Sequence, residues 1–432
     1  MVAGALARRA CAGLICVGAL AAAAGPAHAV QHPGVGLRPA LADTEGLPIG
    51  AQARLARRAH ARFVELTLPW RQVEGTCNVG VKCDDSNYAW GKFDRRFQAY
   101  LDRGIEVKSL RITNAPDWAI VGAGGCPPSE RRVSMCPPSP EHYGALRSFA
   151  RDAAHHYGPT FSRFDVKRFA LWNEPNLANN WGGSPSTFRN AHQYSDLLEF
   201  FHDGIASPRG DPAVQIDAGE IAAGSASSLA GGSDEPRVWA HYFASYTDRK
   251  QRSLDYDQLT IHPYSEDPTQ IPTKIFNYGI LPGVDGRVSV TEFGWAEGTP
   301  SVENTDQQWK CATPQEQADK FTATVQDVRA MDESEATVQQ LIWFSAVDNQ
   351  PDAQRHAPKC LDDTGRYHTV DPTCQLDPAP DGEVRCVTNT FGLYMVAPDG
   401  SLDSPHDACA RPVELAFIAA VSPGSTSGTP AC

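Results

Sequence analysis

The chain has 432 residues, 41% of them hydrophobic and 21% charged, the balance of a folded globular protein and not of a disordered one. Its 38 Lys plus Arg against 51 Asp plus Glu give a formal net charge of −13. That argues against nucleic acid or an anionic membrane as the main partner, because both are met by a basic surface. Past the N-terminus no apolar run reaches the roughly 18 residues a membrane span requires, so no integral membrane contact is expected.

At the N-terminus, Arg8 and Arg9 precede an apolar stretch over 10–24, and Ala27-His28-Ala29 offers a small-x-small cleavage site. This is the pattern of a secretory signal peptide over residues 1–29, which would place the protein outside the cytoplasm. Of the twelve cysteines, Cys11 and Cys16 fall in that leader. The others are Cys77, Cys83, Cys126, Cys136, Cys311, Cys360, Cys374, Cys386, Cys409 and Cys432. An even number in an exported chain reads as disulfides, with Cys77–Cys83, Cys126–Cys136 and Cys374–Cys386 favoured by short separation. There is no C-x-x-C and no histidine at ligand spacing, so structural zinc is not expected.

From residue 30 onward, strand-like and helix-like segments alternate. Strands are expected over 34–39, 62–70, 105–113, 169–172, 213–218, 259–262, 287–292 and 338–344. Helices are expected over 51–60, 93–103, 142–157, 194–205, 237–246, 314–331 and 410–421. The helix over 93–103 carries Phe93, Phe97, Tyr100 and Leu101 on one face and stops at Gly104. Thr313 with Glu316 marks the start of the helix over 314–331 as a capping box. Eight strands alternating with helices form the (β/α)8 barrel pattern. No repeat or linker divides the chain, so one domain over 30–425 with a short tail over 426–432 is expected. The long irregular stretches, 114–140, 176–190 and 348–390, follow strands three, four and eight. In a barrel such loops open on the face where substrates bind.

Two segments carry the chemistry. Leu171-Trp172-Asn173-Glu174-Pro175-Asn176 ends strand four, and Ser289-Val290-Thr291-Glu292-Phe293-Gly294-Trp295 ends strand seven. Two carboxylates on one rim can divide acid and nucleophile roles when their surroundings separate their pKa values. If both reach one sugar-sized site, glycoside hydrolysis is the natural reaction. A lone Glu at a strand end is usually a solvated rim group. The pair on strands four and seven carries the assignment.

These motifs resemble the clan A glycoside hydrolases, most closely families 39 and 5. So do Asn114-Ala115-Pro116-Asp117-Trp118 after strand three, Ile261-His262-Pro263-Tyr264 after strand six and Trp343 on strand eight. The resemblance covers nearly the whole chain after the leader. It implies a retaining mechanism with Glu174 as acid/base and Glu292 as nucleophile, acting on O-glycosidic bonds, β-linked, in poly- or oligosaccharides. It further implies that Asn173 meets the sugar 2-hydroxyl and that Tyr264 and His262 position Glu292. Trp343 would be the floor under the sugar. Asn114, Trp118 and Trp295 would add binding contacts, and no metal or organic cofactor is implied.

Two departures from the clan pattern stand out. Members commonly carry an Arg on strand two near the nucleophile, where this chain has Glu65. Alternation sends Val64, Leu66 and Leu68 toward the helices and Glu65 into the barrel, and likewise Arg111 on strand three. A buried carboxylate must be paired or protonated, so a Glu65–Arg111 pair is expected. The segment after Trp343 is mostly cysteine-rich loop and one helix, so no appended β-sandwich is expected. The competing reading is a carbohydrate-binding barrel that has lost turnover. An esterase or protease and a dinucleotide-dependent oxidoreductase lack their motifs, Gly-x-Ser-x-Gly and Gly-x-Gly-x-x-Gly.

Overall fold

The structure, a computed structural model, describes residues 33–39, 49–74, 88–120, 136–177, 180–181, 187–223, 236–252, 255–265, 267–297, 311–312, 314–331, 337–344 and 412–422. The leader over 1–29, the loop over 348–390 and the tail over 426–432 lie outside these residues, as does Thr313 of the expected capping box.

Eight strands form the barrel: β1 (Gly34–Arg38), β2 (Phe63–Pro69), β3 (Glu106–Thr113), β4 (Arg168–Leu171), β5 (Gln215–Ala222), β6 (Gln258–His262), β7 (Val288–Phe293) and β10 (Gln340–Phe344). A short parallel ribbon, β8 (Ala296–Glu297) with β9 (Cys311–Ala312), precedes the last of them. The strands are all parallel and close in the order β1-β10-β7-β6-β5-β4-β3-β2. The expected (β/α)8 barrel is therefore present. The helices are α1 (Ile49–Arg58), α2 (Trp70–Val73), α3 (Trp90–Leu101), α4 (Asp117–Ile120), α5 (Tyr143–Tyr157), α6 (Thr187–Ile205), α7 (Pro236–Arg249), α8 (Gln270–Gly279), α9 (Pro314–Ala330) and α10 (Pro412–Val421).

Period-two alternation builds two environments. Outward residues such as Val64, Leu66, Leu68, Leu110, Ile112, Phe169, Leu171, Leu259, Ile261 and Val290 are fully buried under the helices. The helices answer with apolar residues at helical spacing, as Leu146, Phe149, Ala150, Ala153 and Tyr157 do on α5. Inward positions are mostly polar. At the bottom Phe63 lies over Gly36, where a Cβ would come within 2.1 Å of its ring, so only glycine fits there. In the next layer, Arg168 Nε donates to Asp217 Oδ1 at 2.7 Å, Gln258 Nε2 to the same oxygen at 2.9 Å, and Ser289 Oγ to Gln258 Oε1 at 2.8 Å. The bonds of this layer tie four strands across the barrel interior through one Asp217 oxygen, while Asp217 Oδ2 is buried without a hydrogen-bond partner. The charged groups of the candidate site form the layer above it.

Several elements differ from the sequence reading, among them the short α2 and α4 and the β8–β9 ribbon, which it did not contain. Helix α6 begins at Thr187, not at 194, because its first two turns carry polar residues that hide the period. Helix α8 was not anticipated: Pro272 reads as a breaker, but it lies in the first turn, where its missing N–H leaves no bond unmade. Strand β5 runs to Ala222 and not to 218, because Gly219 and Glu220 form a bulge within it.

Candidate active site

The residues after β4 leave the strand through an unusual backbone. Trp172 (φ 69°) and Glu174 (φ 44°) are both left-handed, as are Asn114 (φ 58°) after β3 and Glu220 (φ 40°) on β5. Among the described residues, eight non-glycine residues have positive φ, and these four share the C-terminal rim. Each such residue costs about 1–3 kcal/mol, so their clustering marks the rim as a place where geometry outweighs stability. The turn is held by neighbours. Trp172 N–H donates to Ile112 O at 2.8 Å, its ring Nε1 to Asn180 O at 2.9 Å, and Glu174 N–H to Glu220 O at 3.1 Å. On β7 an extra residue lies between Val290 and Phe293 relative to Leu341 and Trp343 of β10. That bulge carries Glu292 to the barrel axis while Phe293 keeps its place under the helices.

The two carboxyls meet across His262, the last residue of β6. Its Nδ1 is 3.0 Å from Glu174 Oε1 and 2.9 Å from Glu292 Oε2. One oxygen of each carboxylate and the histidine nitrogen lie within 4.8 Å of one another. The side chains of Glu174 and Glu292 are 18% and 11% exposed, so a ligand can reach both from the rim. Asn180 Nδ2 donates to Glu174 Oε2 at 3.3 Å. On the far side, Arg38 Nη1 donates to Glu292 Oε2 at 2.6 Å, and Tyr264 hydrogen-bonds the same carboxylate.

The charges settle by competition between burial and partners. Burial would raise the Glu292 carboxyl, but Arg38 first, then His262 and the Tyr264 hydroxyl, outweigh it and hold it down at about 2. Burial would lower His262, yet Glu292 and the bonds to both carboxylates raise it to about 10, so the ring is an imidazolium at neutral pH. Glu220 is pushed up to about 8 by burial, against the pull of Arg38 and His262. Burial, together with Glu220, also raises Glu65 far above the usual carboxylate range, against Arg38. Glu174, His262 and Glu292 have donor atoms of the kind that take a cation. The guanidinium against Glu292 and the charge on His262 oppose one there, and the trio is already bridged by the imidazole.

Several anticipated residues are together at this site: Glu174, Glu292, Asn173, His262, Tyr264 and Arg111. Glu65 points into the barrel, as alternation predicts, and is buried. The expected Glu65–Arg111 pair is replaced by two others. Glu65 Oε1 is 3.0 Å from Arg38 Nη2, and Arg111 Nη1 is 2.7 Å from Glu220 Oε2. Arg111 also donates to the Asn173 side-chain oxygen and, at 2.9 Å, to Thr67 Oγ1. The partners change because Glu220 reaches Arg111 from the β5 bulge and β1 brings a second arginine to the axis. The positive group near the nucleophile is thus Arg38 of β1. Sequence reasoning missed Arg38 because it closes the short first strand, although alternation with the outward Leu37 already points it inward.

The aromatic residues separate differently. Trp343 is paired in register with the outward Leu37 and is fully buried, with ring centroids 5.3 Å from Phe321 and 5.5 Å from Phe293. It packs under α9 and is not a floor for a ligand. The next residue, Phe344, faces inward and lies 6.0 Å from the Arg38 guanidinium. Trp295 is likewise buried, donating its Nε1 to Ser265 O at 2.6 Å. Trp118 is half-buried and stands edge-on to Trp70 at 5.9 Å. Asn114 is half-buried at the rim, accepting from Thr113 Oγ1 at 3.2 Å. Cys136 is buried, and no other cysteine side chain lies within the described residues.

No protein-family profile and no curated protein sequence matches the chain. Solved structures do. β-Glycosidase BGL167 superposes with a TM-score of 0.53 at 12% identity, over 92% of this chain and 99% of that one. A mutant of a hyperthermophilic β-glucosidase gives 0.53 at 12%, over 85% and 86%. The chain has the barrel fold of these glycosidases. A family 39 glycoside hydrolase from Bacteroides cellulosilyticus WH2 gives 0.49 at 16% over 91% of this chain, which spans 64% of that protein's length.

Proposed function

We propose that this chain is an exported, disulfide-stapled retaining glycoside hydrolase that cleaves β-linked O-glycosidic bonds in poly- or oligosaccharides. The observation that carries the reading is the approach of the Glu174 and Glu292 carboxylates, whose facing oxygens lie within 4.8 Å. Double displacement needs carboxyls about 5–5.5 Å apart, whereas inversion needs about 6.5–9.5 Å to admit water between them. The second support is electrostatic. A nucleophile must be anionic, and Arg38, His262 and Tyr264 keep Glu292 so despite its burial.

In the first step Glu174 gives its proton to the departing glycosidic oxygen while a Glu292 oxygen attacks the anomeric carbon. The products are a free alcohol and a glycosyl ester on Glu292. In the second step Glu174 takes a proton from water, which attacks the same carbon and releases Glu292. Asn173, held by Arg111, would meet the 2-hydroxyl. His262, charged and 2.9 Å from Glu292 and 3.0 Å from the Glu174 carboxyl, would steady Glu292 as its charge is spent and regained.

NMR of the first-formed sugar tests the reading on a panel of aryl β-glycosides. Retention gives the β-anomer before mutarotation, and Glu292→Gln abolishes turnover. An α-anomer formed first, or turnover that survives Glu292→Gln, would contradict it. Saturable sugar binding without turnover would favour the carbohydrate-binding barrel.

A further inference from the structure

Glu220 touches neither of the paired carboxylates, yet Arg38 and His262, which hold them, and Arg111, which holds Asn173, all lead to it. Strand β5 carries an extra residue between Ala218 and Ile221 relative to Leu259 and Ile261 of β6. At that bulge Gly219 (φ 98°) and Glu220 (φ 40°) are both left-handed. Three neighbouring elements tie it down. Gly219 N–H donates to the Tyr194 hydroxyl at 2.7 Å, which donates to Leu171 O at 2.9 Å, joining α6, β4 and β5. Glu220 N–H donates to Thr260 Oγ1 of β6 at 2.9 Å. Asn176, just past the acid/base, grips Ala222 through both backbone groups, at 2.9 and 3.1 Å.

From this anchored position the side chain reaches the axis. Glu220 Oε2 lies 2.7 Å from Arg111 Nη1, 3.5 Å from Arg38 Nη2 and 3.7 Å from His262 Nε2. Arg111 holds Asn173, Arg38 holds Glu292, and His262 lies between Glu292 and Glu174. Its backbone carbonyl accepts the Glu174 N–H. The other charged groups around it are Glu65 of β2, Asp217 of β5 and Glu292 of β7. Its second oxygen, Oε1, is buried without a hydrogen-bond partner. Left-handed backbone and an unsatisfied buried oxygen are both destabilising, so the residue is not placed for stability alone.

We propose that Glu220 is a positioning residue: one side chain fixes Arg38, Arg111 and His262, and through them the nucleophile, the 2-hydroxyl contact and the acid/base. This rests on the glycosidase reading for its kinetic consequences and on geometry for the rest. The plain alternative is a buried acceptor that only satisfies two arginines without placing them, and the two differ in what a variant does.

The test compares Glu220→Ala, which removes the side chain, with Glu220→Gln, which keeps its shape and one acceptor for Arg111. On the best aryl glycoside, Glu220→Ala lowers kcat about a hundredfold with KM within about threefold, the size of effect that a displacement near 1 Å produces. Glu220→Gln recovers part of the loss. The acid limb of the Glu220→Ala pH profile moves up, because Arg38 no longer stays on Glu292. Loss of a side chain that only filled the space between the arginines would leave that limb in place. Wild-type kcat in Glu220→Ala, or an acid limb that stays or falls, overturns the proposal. A crystal structure of Glu220→Ala decides the geometry without activity. If the alanine variant does not fold, Glu220→Asp, whose side chain is one methylene too short for Arg38 and Arg111, serves instead. Arg38 off Glu292 and Arg111 off Asn173 support the proposal, and unmoved contacts overturn it. A wild-type protein that turns over no glycoside would sink the glycosidase reading and leave this structural comparison to decide positioning.

Discussion

Replacing Arg38 by methionine tests how the nucleophile is kept ionised. Glu292 is held at about 2 against an ordinary 4.5, and Arg38 at 2.6 Å is the largest influence opposing its burial. At about 1.4 kcal/mol per tenfold, that difference amounts to about 3 kcal/mol in favour of the anion. Methionine fills similar space but leaves the burial unopposed by its main partner, so the Glu292 carboxyl rises past its ordinary value. Glu65 and Glu220 lose the cation they share and hold their protons more tightly. The assay is kcat/KM against pH on an aryl β-glycoside. The wild-type acid limb falls below the range where the fold is easily handled, whereas the variant's appears above about pH 5. Activity of the variant at pH 8 recovers relative to pH 5, because the change is one of protonation and not of shape. An acid limb that does not move when Arg38 is removed would refute the assignment of that arginine.

Stability should fall as pH rises through the neutral range. Glu220 is raised to about 8 by burial, so its contribution is full below 4.5 and is lost as pH climbs through 8; His262, raised to about 10, loses its contribution between 6.5 and 10. Thermal melting from pH 5 to 10 should show Tm declining, with the decline below pH 8 reduced in Glu220→Gln; a flat profile would contradict the raised values of both groups. Glu174→Ala should slow glycosides with poor leaving groups about a hundredfold or more and spare the first step for activated aryl leaving groups, which depart without a proton; equal losses for both would deny it the acid role. Trp343→Phe should lower stability by about 1–3 kcal/mol and leave KM unchanged, since the ring packs on Phe293 and Phe321; a raised KM with an unaltered melt would restore it to the binding site.

The barrel and its two carboxylates were legible because both follow local rules. Period-two alternation placed Glu65 and Arg111 inside, and strand order placed Glu174 and Glu292 on one rim. Who pairs with whom was not legible, because pairing depends on bulges. Gly219-Glu220 reads as the end of β5, and only the closed sheet shows that the strand continues past a bulge and aims Glu220 at Arg111. The same limit misplaced Trp343: the bulge on β7 brings Glu292 inward, but its neighbour on β10 keeps plain alternation and faces the helices. Arg38 was within reach, since Leu37 and Arg38 alternate. What hid it was the shortness of the strand and the pull of the clan pattern toward strand two.

The central claim is that Glu292 forms a covalent bond to sugar. Its most direct test is mass spectrometry of the intact protein after incubation with 2-deoxy-2-fluoro glycosides bearing good leaving groups, because the fluorine slows both steps and the leaving group restores the first. The expected result is a mass gain of one fluorosugar, mapping to the peptide that holds Glu292 and absent from Glu292→Gln. A folded wild-type protein that hydrolyses the parent glycosides yet gains no mass, or is labelled at another residue, would contradict it.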